Sequence, residues 1–339
     1  MSKRLLLLGA YLYKGMDTMK SYEEIREWKS KNIQDIPDPI SLNDFHDQVM
    51  RKVMAAAKEK MGQPPCSFVW FITGSGGRLE QGFVSDQDHG IIYATGDEET
   101  RRYFHLLGEE VSMGLNIVGY PYCTGKVMSS NPLWCRSQME WEEQLLYWMR
   151  DGSFEAIRYL QIFMDARALC GAAGFIHQLK SVVFNYQHNN SALLQRFVDN
   201  IMHVKNVIGP LGQLLVEQYG EHQGSINLKY AAFLPYVNAV RLLSIKEGVY
   251  ETSTLDRISE LISIQSYEKL LLNGEKNFSD LLTFRMSLFR GGSYEDTQYV
   301  NVEKLTRQEK KDIKRIVRDG KRFHDEVTAL LKKGDDDGI

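Results

Sequence analysis

The sequence predicts an α+β protein: a strand-bearing domain followed by an all-helical carboxy-terminal bundle. Three observations carry that reading. An aromatic and β-branched run, Phe68-Val-Trp-Phe-Ile-Thr73, is closed by the cluster Gly74-Ser-Gly-Gly77 and reads as a buried strand entering a tight turn. A second apolar run through Ile91, Ile92 and Tyr93 follows two aspartates, Asp86 and Asp88. From Ser191 onward, apolar residues recur at helical spacing almost throughout. The expected organisation is an amino-terminal helical segment over residues 1–60, the strand-bearing domain over 61–185 and the helical bundle over 186–335.

A chain of 339 residues, 43% hydrophobic and 25% charged, can bury a sizeable core and is not a disordered composition. Its net charge of -3 removes the electrostatic case for a general nucleic-acid binder. The four cysteines, Cys66, Cys123, Cys135 and Cys170, lack CxxC spacing and are too sparse for a disulfide framework; they read as ordinary buried or half-buried thiols in a reducing cytoplasm. The opening residues imitate a short signal peptide, but the run Leu5–Leu8 is too short to span a membrane and no small-residue cleavage site follows. A cytoplasmic protein without membrane association is therefore expected. Translation from Met16 or Met19 is the alternative account of these residues.

Ser21-Tyr-Glu-Glu has capping-box spacing, so a first helix is expected from Ser21, ended by Pro37 and Pro39. A second runs from about Leu42 to Lys60 and is broken by Pro64-Pro65. Past the central stretch, a helix over Glu98–Gly114 carries Phe104, Leu107 and Val111, with a short strand over Leu115–Val118. Gly119–Trp134 is a loop whose apolar and amide-rich composition fits either a packed surface loop or one that lines a site. A Trp-rich helix over Ser137–Arg150 follows, and Glu155–Gly171 fits helix or strand. The bundle is assigned helices over Leu193–Ile208, continuing through Leu211–Tyr219, then Leu228–Lys246 with a kink at Pro235, Thr254–Ile264 and Tyr267–Arg290. A last helix opens on the capping box Thr306-Arg-Gln-Glu309 and precedes a solvated Gly-Asp-Asp-Asp-Gly tail.

The chemistry concentrates in the central stretch. If Asp86 and Asp88 lie on the strand that continues through Tyr93, period-2 geometry puts both carboxylates on one face and Gln87 on the other. Two carboxylates facing a glycine turn suit a divalent metal and a nucleoside triphosphate. A dinucleotide fingerprint is excluded because position 79 is Leu79, and a Walker loop because Arg78 follows Gly77 at the wrong spacing. Gly74 and Ser75 let amides and a hydroxyl approach phosphate oxygens, and Arg78 supplies charge.

Gly74-Ser75 with Asp86-x-Asp88 resembles the signature of the polymerase-beta-like nucleotidyltransferase superfamily. The longer string Gly-Ser-x-Gly-Arg-x-Glu-Gln followed by Ser-Asp-Gln-Asp resembles a narrower group. These are the signal-transduction nucleotidyltransferases related to PII-protein uridylyltransferase and glutamine-synthetase adenylyltransferase. Gly119–Cys123, Val127–Trp134, Asp165–Gly171, Asn227–Lys229 and Val240-Arg241-Leu-Leu extend the likeness over about Ser41–Leu331. The resemblance implies a small mixed sheet with flanking helices, then a helical substrate-binding bundle. It also implies transfer of a nucleoside monophosphate from an NTP to an acceptor hydroxyl, expected on a regulatory protein, with pyrophosphate released. Position by position, it implies that Gly74 and Ser75 hold the triphosphate with Arg78 assisting, and that Asp86 and Asp88 bind Mg²⁺, two ions being expected. Asp165 of Asp165-x-Arg167 would complete the metal site, or else is a helix-surface aspartate paired with an arginine. Lys229 and Arg241 would reach phosphates from the bundle, or else are exposed helix charges. A catalytically silent nucleotide-binding regulatory module is the alternative function. His89-Gly90 and Lys126 depart from the group's pattern. His46-Asp47 and His324-Asp325, which imitate phosphohydrolase ligands, are expected to be surface residues.

Overall fold

The strand read at Phe68–Ile72 (β1) lies at the centre of a four-stranded sheet, because its alternate side chains are covered on both faces. It pairs antiparallel with β2 (His89–Tyr93), Phe68 opposite Tyr93 and Ile72 opposite His89. β3 (Cys135–Ser137) runs parallel to β2, and β4 (Arg167–Gly171) runs antiparallel to the other edge of β1, giving the order β3-β2-β1-β4. Val69, Trp70, Phe71, Ile91 and Ile92 are fully buried, and each such aliphatic or Phe side chain contributes about 1.5–3 kcal/mol relative to exposure. Gly90 is required by this packing: opposite Phe71 in the ladder, any Cβ there would lie 2.4 Å from the Phe71 ring and 2.7 Å from the Trp134 carbonyl oxygen. The His89-Gly90 departure therefore has a packing cause.

The computed structural model describes residues 20–288 and 291–333. The leader-like opening residues, the Met16 and Met19 alternative, Arg290 and the acidic tail lie outside the described residues. The chain divides into two compact units, residues 1–143 with 166–179, and residues 144–165 with 180–339. In the first unit, α1 (residues 20–32), α2 (Pro39–Met61) and α4 (Glu98–Val118) flank the sheet, and α3 (Gly74–Gly77) is the glycine turn itself. Tyr22 donates to Glu110 at 3.1 Å and Lys60 donates to the same carboxylate at 2.6 Å, tying α1 and α2 to α4. α2 begins earlier than expected because Pro39 occupies its first turn and Asp38 caps it, accepting from the Ser41 amide at 2.9 Å. The expected strand Leu115–Val118 is the end of α4: Val111, Leu115 and Val118 continue the helical stripe, and the chain turns only at left-handed Gly119.

The second unit surrounds α9 (Leu234–Glu247), which is buried on nearly every side, with α6 (Phe154–Met164), α8 (Ser191–Ile201), α10 (Thr254–Ile262), α11 (Glu268–Leu288) and α12 (Arg307–Lys333). α5 (Gln138–Asp151) and α7 (Gly174–His188) each contribute residues to both units. The ambiguous stretch resolves into both elements, helix α6 and then strand β4, divided at Asp165. Three expectations for the bundle are corrected. α8 stops at Ile201, and residues 202–219 are irregular, with a bridge between Ile208 and Leu214 in place of further helix. A two-stranded ribbon, β5 (Ser225–Asn227) with β6 (Tyr299–Asn301), interrupts the helical pattern. Pro235 falls in the first turn of α9, and a π-helical turn over Lys229–Phe233 takes the place of the kink. The capping box at the start of α12 is reciprocal, Thr306 N donating to Glu309 at 2.7 Å and Glu309 N to the Thr306 hydroxyl at 3.2 Å. Among the described residues, no helix is long and apolar enough to cross a membrane.

Candidate functional site

β1 leads into the glycine turn, and the turn is braced from below. Arg167 of β4 grips Asp47 of α2 through two 2.8 Å bonds and donates to the Gly76 carbonyl at 3.1 Å. This bidentate pair fixes the turn to two flanking elements. Gly74 is in the left-handed region at φ +57, and Leu79 closes the turn at φ +58. A Cβ on Gly74 would sit 2.3 Å from Oδ2 of Asp88, so the carboxylate rests directly on the Gly74 backbone. Arg78 pairs with Glu80 at 2.8 Å and is largely buried; it is engaged inside its own turn.

The aspartates are presented by an extended segment that leads into β2. Exposure alternates along it: Asp86 and Asp88 are half-buried and Gln87 is fully buried on the opposite face. The Gln87 side chain donates to the carbonyls of Ser112 at 3.1 Å and Tyr120 at 2.9 Å, which orients its amide and leaves its oxygen for His89 Nε2 at 3.0 Å. His89 Nδ1 in turn accepts from Trp70 at 3.1 Å. Burial lowers the imidazole to about 3, so His89 is a neutral strut that carries its proton on Nε2.

Gln87 also aligns the loop that follows α4. Its amide donates to Pro121 O at 3.2 Å and it bridges Tyr122 in parallel register. The next residue on each strand then faces the same way. Asp88 and Cys123 are those residues. Asp86, Asp88 and Cys123 present ligand atoms that all lie within 4.8 Å of one another. Burial, and then the Asp88 charge and its hydrogen bond, push the Cys123 thiol up to about 12, so it stands as a neutral donor to Asp88. Sequence reasoning missed this residue: Cys123 has no local motif, and its partners come from another segment. The composition of the Gly119–Trp134 loop was the available signal.

The structure thus gathers Gly74, Asp86 and Asp88, with Ser75 in the same turn and Arg78 beside it. Asp165 and Lys229 belong to the second unit. Asp165 is buried and accepts from Arg241 at 3.0 and 2.6 Å and from Arg257 at 2.8 Å. Arg241, expected at phosphates, is committed to that cluster. Lys229 is half-buried, at 5.8 Å from the Tyr294 ring centroid. Three of the four residues in the histidine pairs lack the surface position expected: His46 is buried between the Tyr120 hydroxyl at 2.7 Å and Gly82 O at 2.9 Å, Asp47 holds Arg167, and His324 is buried on α12, while Asp325 is exposed as expected.

Two family models match the chain. The model described as "Putative nucleotidyltransferase DUF294" covers residues 40–155, which include the glycine turn, both aspartates and Cys123. The model described as "Putative nucleotidyltransferase substrate binding domain" covers residues 191–330. The chain belongs to this nucleotidyltransferase family. Its mixed sheet with flanking helices and its largely helical carboxy-terminal region are the architecture expected for a member. No curated protein matches the chain. The donor set fits the divalent ion that nucleotidyl transfer uses: two carboxylates and a thiol converge where one of the carboxylates rests on the glycine turn.

Proposed function

We propose that this nucleotidyltransferase moves a nucleoside monophosphate from an NTP to a hydroxyl of a protein, with Mg²⁺ held by Asp86 and Asp88. The single observation that carries this reading is the contact of the Asp88 carboxylate with the Gly74 backbone, with Asp86 converging beside it. A carboxylate against a turn free of side-chain bulk places a metal ligand where phosphate oxygens approach the main chain. Gly74 and Ser75 hold the triphosphate, and Arg78 acts from within the turn, balanced by Glu80. Bound there, Mg²⁺ neutralises phosphate charge and favours in-line displacement. The acceptor oxygen bonds to the α-phosphorus, the bond to the β-phosphate breaks, pyrophosphate leaves and the hydroxyl proton passes to solvent. The protein acceptor follows from the resemblance to enzymes that modify regulatory proteins.

The test is incubation of the full chain with each labelled NTP, Mg²⁺ and cell extract. Label should enter a protein band with one or more NTPs, and an Asp86→Asn, Asp88→Asn double variant should lose at least ~100-fold of it, the scale of removing electrostatic stabilisation of a transition state. Equal labelling by the double variant would sink the proposal. One observation favours a second reading, a silent nucleotide-binding module: the expected third carboxylate, Asp165, is taken up by two guanidinium groups. That reading requires saturable NTP binding without pyrophosphate release.

A further inference from the structure

The third donor beside the two aspartates is sulfur. We infer that Cys123 Sγ is a third ligand at this site, and that Asp86, Asp88 and Cys123 together also take, in place of Mg²⁺, a thiophilic divalent cation of the Zn²⁺ and Co²⁺ class. This inference rests on the metal-site reading proposed above and deepens it.

Geometry carries the argument. Ligand atoms about 2.0–2.3 Å from one ion lie no more than about 4.6 Å apart. The three side chains already place theirs within 4.8 Å of one another, so small rotations suffice to close on an ion. The placement is built into the backbone. Gln87 N donates to Pro121 O at 3.2 Å and its side chain to Tyr120 O at 2.9 Å, clamping the loop alongside the aspartate segment. Lys126 N donates to Cys123 O at 3.0 Å and closes the turn behind the cysteine. A set of carboxylate oxygens alone suits Mg²⁺, which favours hard ligands; one thiolate shifts the preference toward softer ions. On binding, the S–H bond gives way to a sulfur–metal bond and the proton passes to solvent.

The experiment uses the full chain, stripped with a chelator and titrated with Co²⁺ in the absence of nucleotide. The expected result is a sulfur-to-cobalt charge-transfer band in the near ultraviolet at one equivalent. It should vanish in Cys123→Ser and in the Asp86→Asn, Asp88→Asn double variant, and persist in Cys66→Ser and Cys170→Ser. Co²⁺ affinity of Cys123→Ser should fall at least ~10-fold, since even partners outside the ligand shell act on that scale. A wild-type chain that binds Co²⁺ without the band, or a band that survives Cys123→Ser, overturns the inference. Because the wild-type spectrum alone suffices for the first outcome, a poorly folding variant does not protect the idea. Nucleotide transfer with Mg²⁺ is read separately: transfer without the band removes only the sulfur ligand, and the band without transfer removes only the proposed reaction.

Discussion

Lys126 adopts φ +55, a conformation that costs an L-residue with a side chain roughly 1–2 kcal/mol. Lys126 thus falls where glycine is physically favoured. Lys126→Gly relieves that cost but adds roughly 0.5–1 kcal/mol of chain entropy to the unfolded state, so a net gain of up to about 1 kcal/mol is expected in urea unfolding. A loss of stability would show that the lysine side chain makes a compensating contact. Lys180 permits a test by pH. Burial first, and then the Arg257 charge, lower it from 10.5 to about 7 against the opposing charges of Asp165 and Glu251. Between those two values the unfolded chain binds a proton that the native chain releases, so this group makes stability rise with pH, up to roughly 1.4 kcal/mol per unit. Its contribution is complete above the upper value and is lost as pH falls through the lower one. Lys180→Met removes the linkage. Its stability relative to wild type should therefore be highest near neutral pH and decline toward alkaline pH, as urea midpoints would record. The two aspartates were legible from their spacing because a strand has period 2, and the neighbouring sulfur was not, because its register is set by Gln87 across a loop.

At the scale of elements, the end of α6 is held by a buried ion cluster within the second unit. Asp165 ends α6 and joins Arg241 of α9 to Arg257 of α10, while Arg257 also donates to Met164 O at 2.9 Å and Glu251 O at 2.7 Å. Removing the one carboxylate leaves two buried guanidinium groups without their counter-charge, which costs about 3–5 kcal/mol. Asp165→Asn should lower the urea midpoint accordingly in the absence of any nucleotide. A variant with wild-type stability but no transfer would instead assign Asp165 to the chemistry. Periodicity located a helix start well where its cap was legible, as at Thr306, and misplaced the ends that Asp38 and Gly119 mark. It failed at residues 202–219, where a local bridge between Ile208 and Leu214 takes the place of helix, and at the β5–β6 ribbon, whose pairing is long-range. His46 and His324 were misjudged for a related reason: a polar residue in a helical pattern reads as solvent-facing unless its distant neighbours are known, and the Tyr120 and Gly82 partners of His46 are far along the chain.

The chain crosses between the two units three times. The first unit is completed only when residues 166–179 return to it, and they bring β4. No local signal announces that return, so the sequence-based division at residues 60 and 185 could not include it. The consequence concerns the sheet. β4 covers the edge of β1 along Val69–Ile72 and carries Arg167, which braces Asp47 and the carbonyl of Gly76. A fragment of residues 20–155, reaching to the end of the first family match, lacks that strand. It exposes a hydrophobic strand edge, a ready template for intermolecular pairing. Asp47 also loses its guanidinium partner, and the glycine turn its support. Such a fragment should associate in sedimentation velocity and lack the near-ultraviolet circular dichroism of a packed Trp70. A monomeric fragment with a native aromatic signal would show that three strands suffice, and that the site's rigidity comes from α2 and the Gln87 network instead.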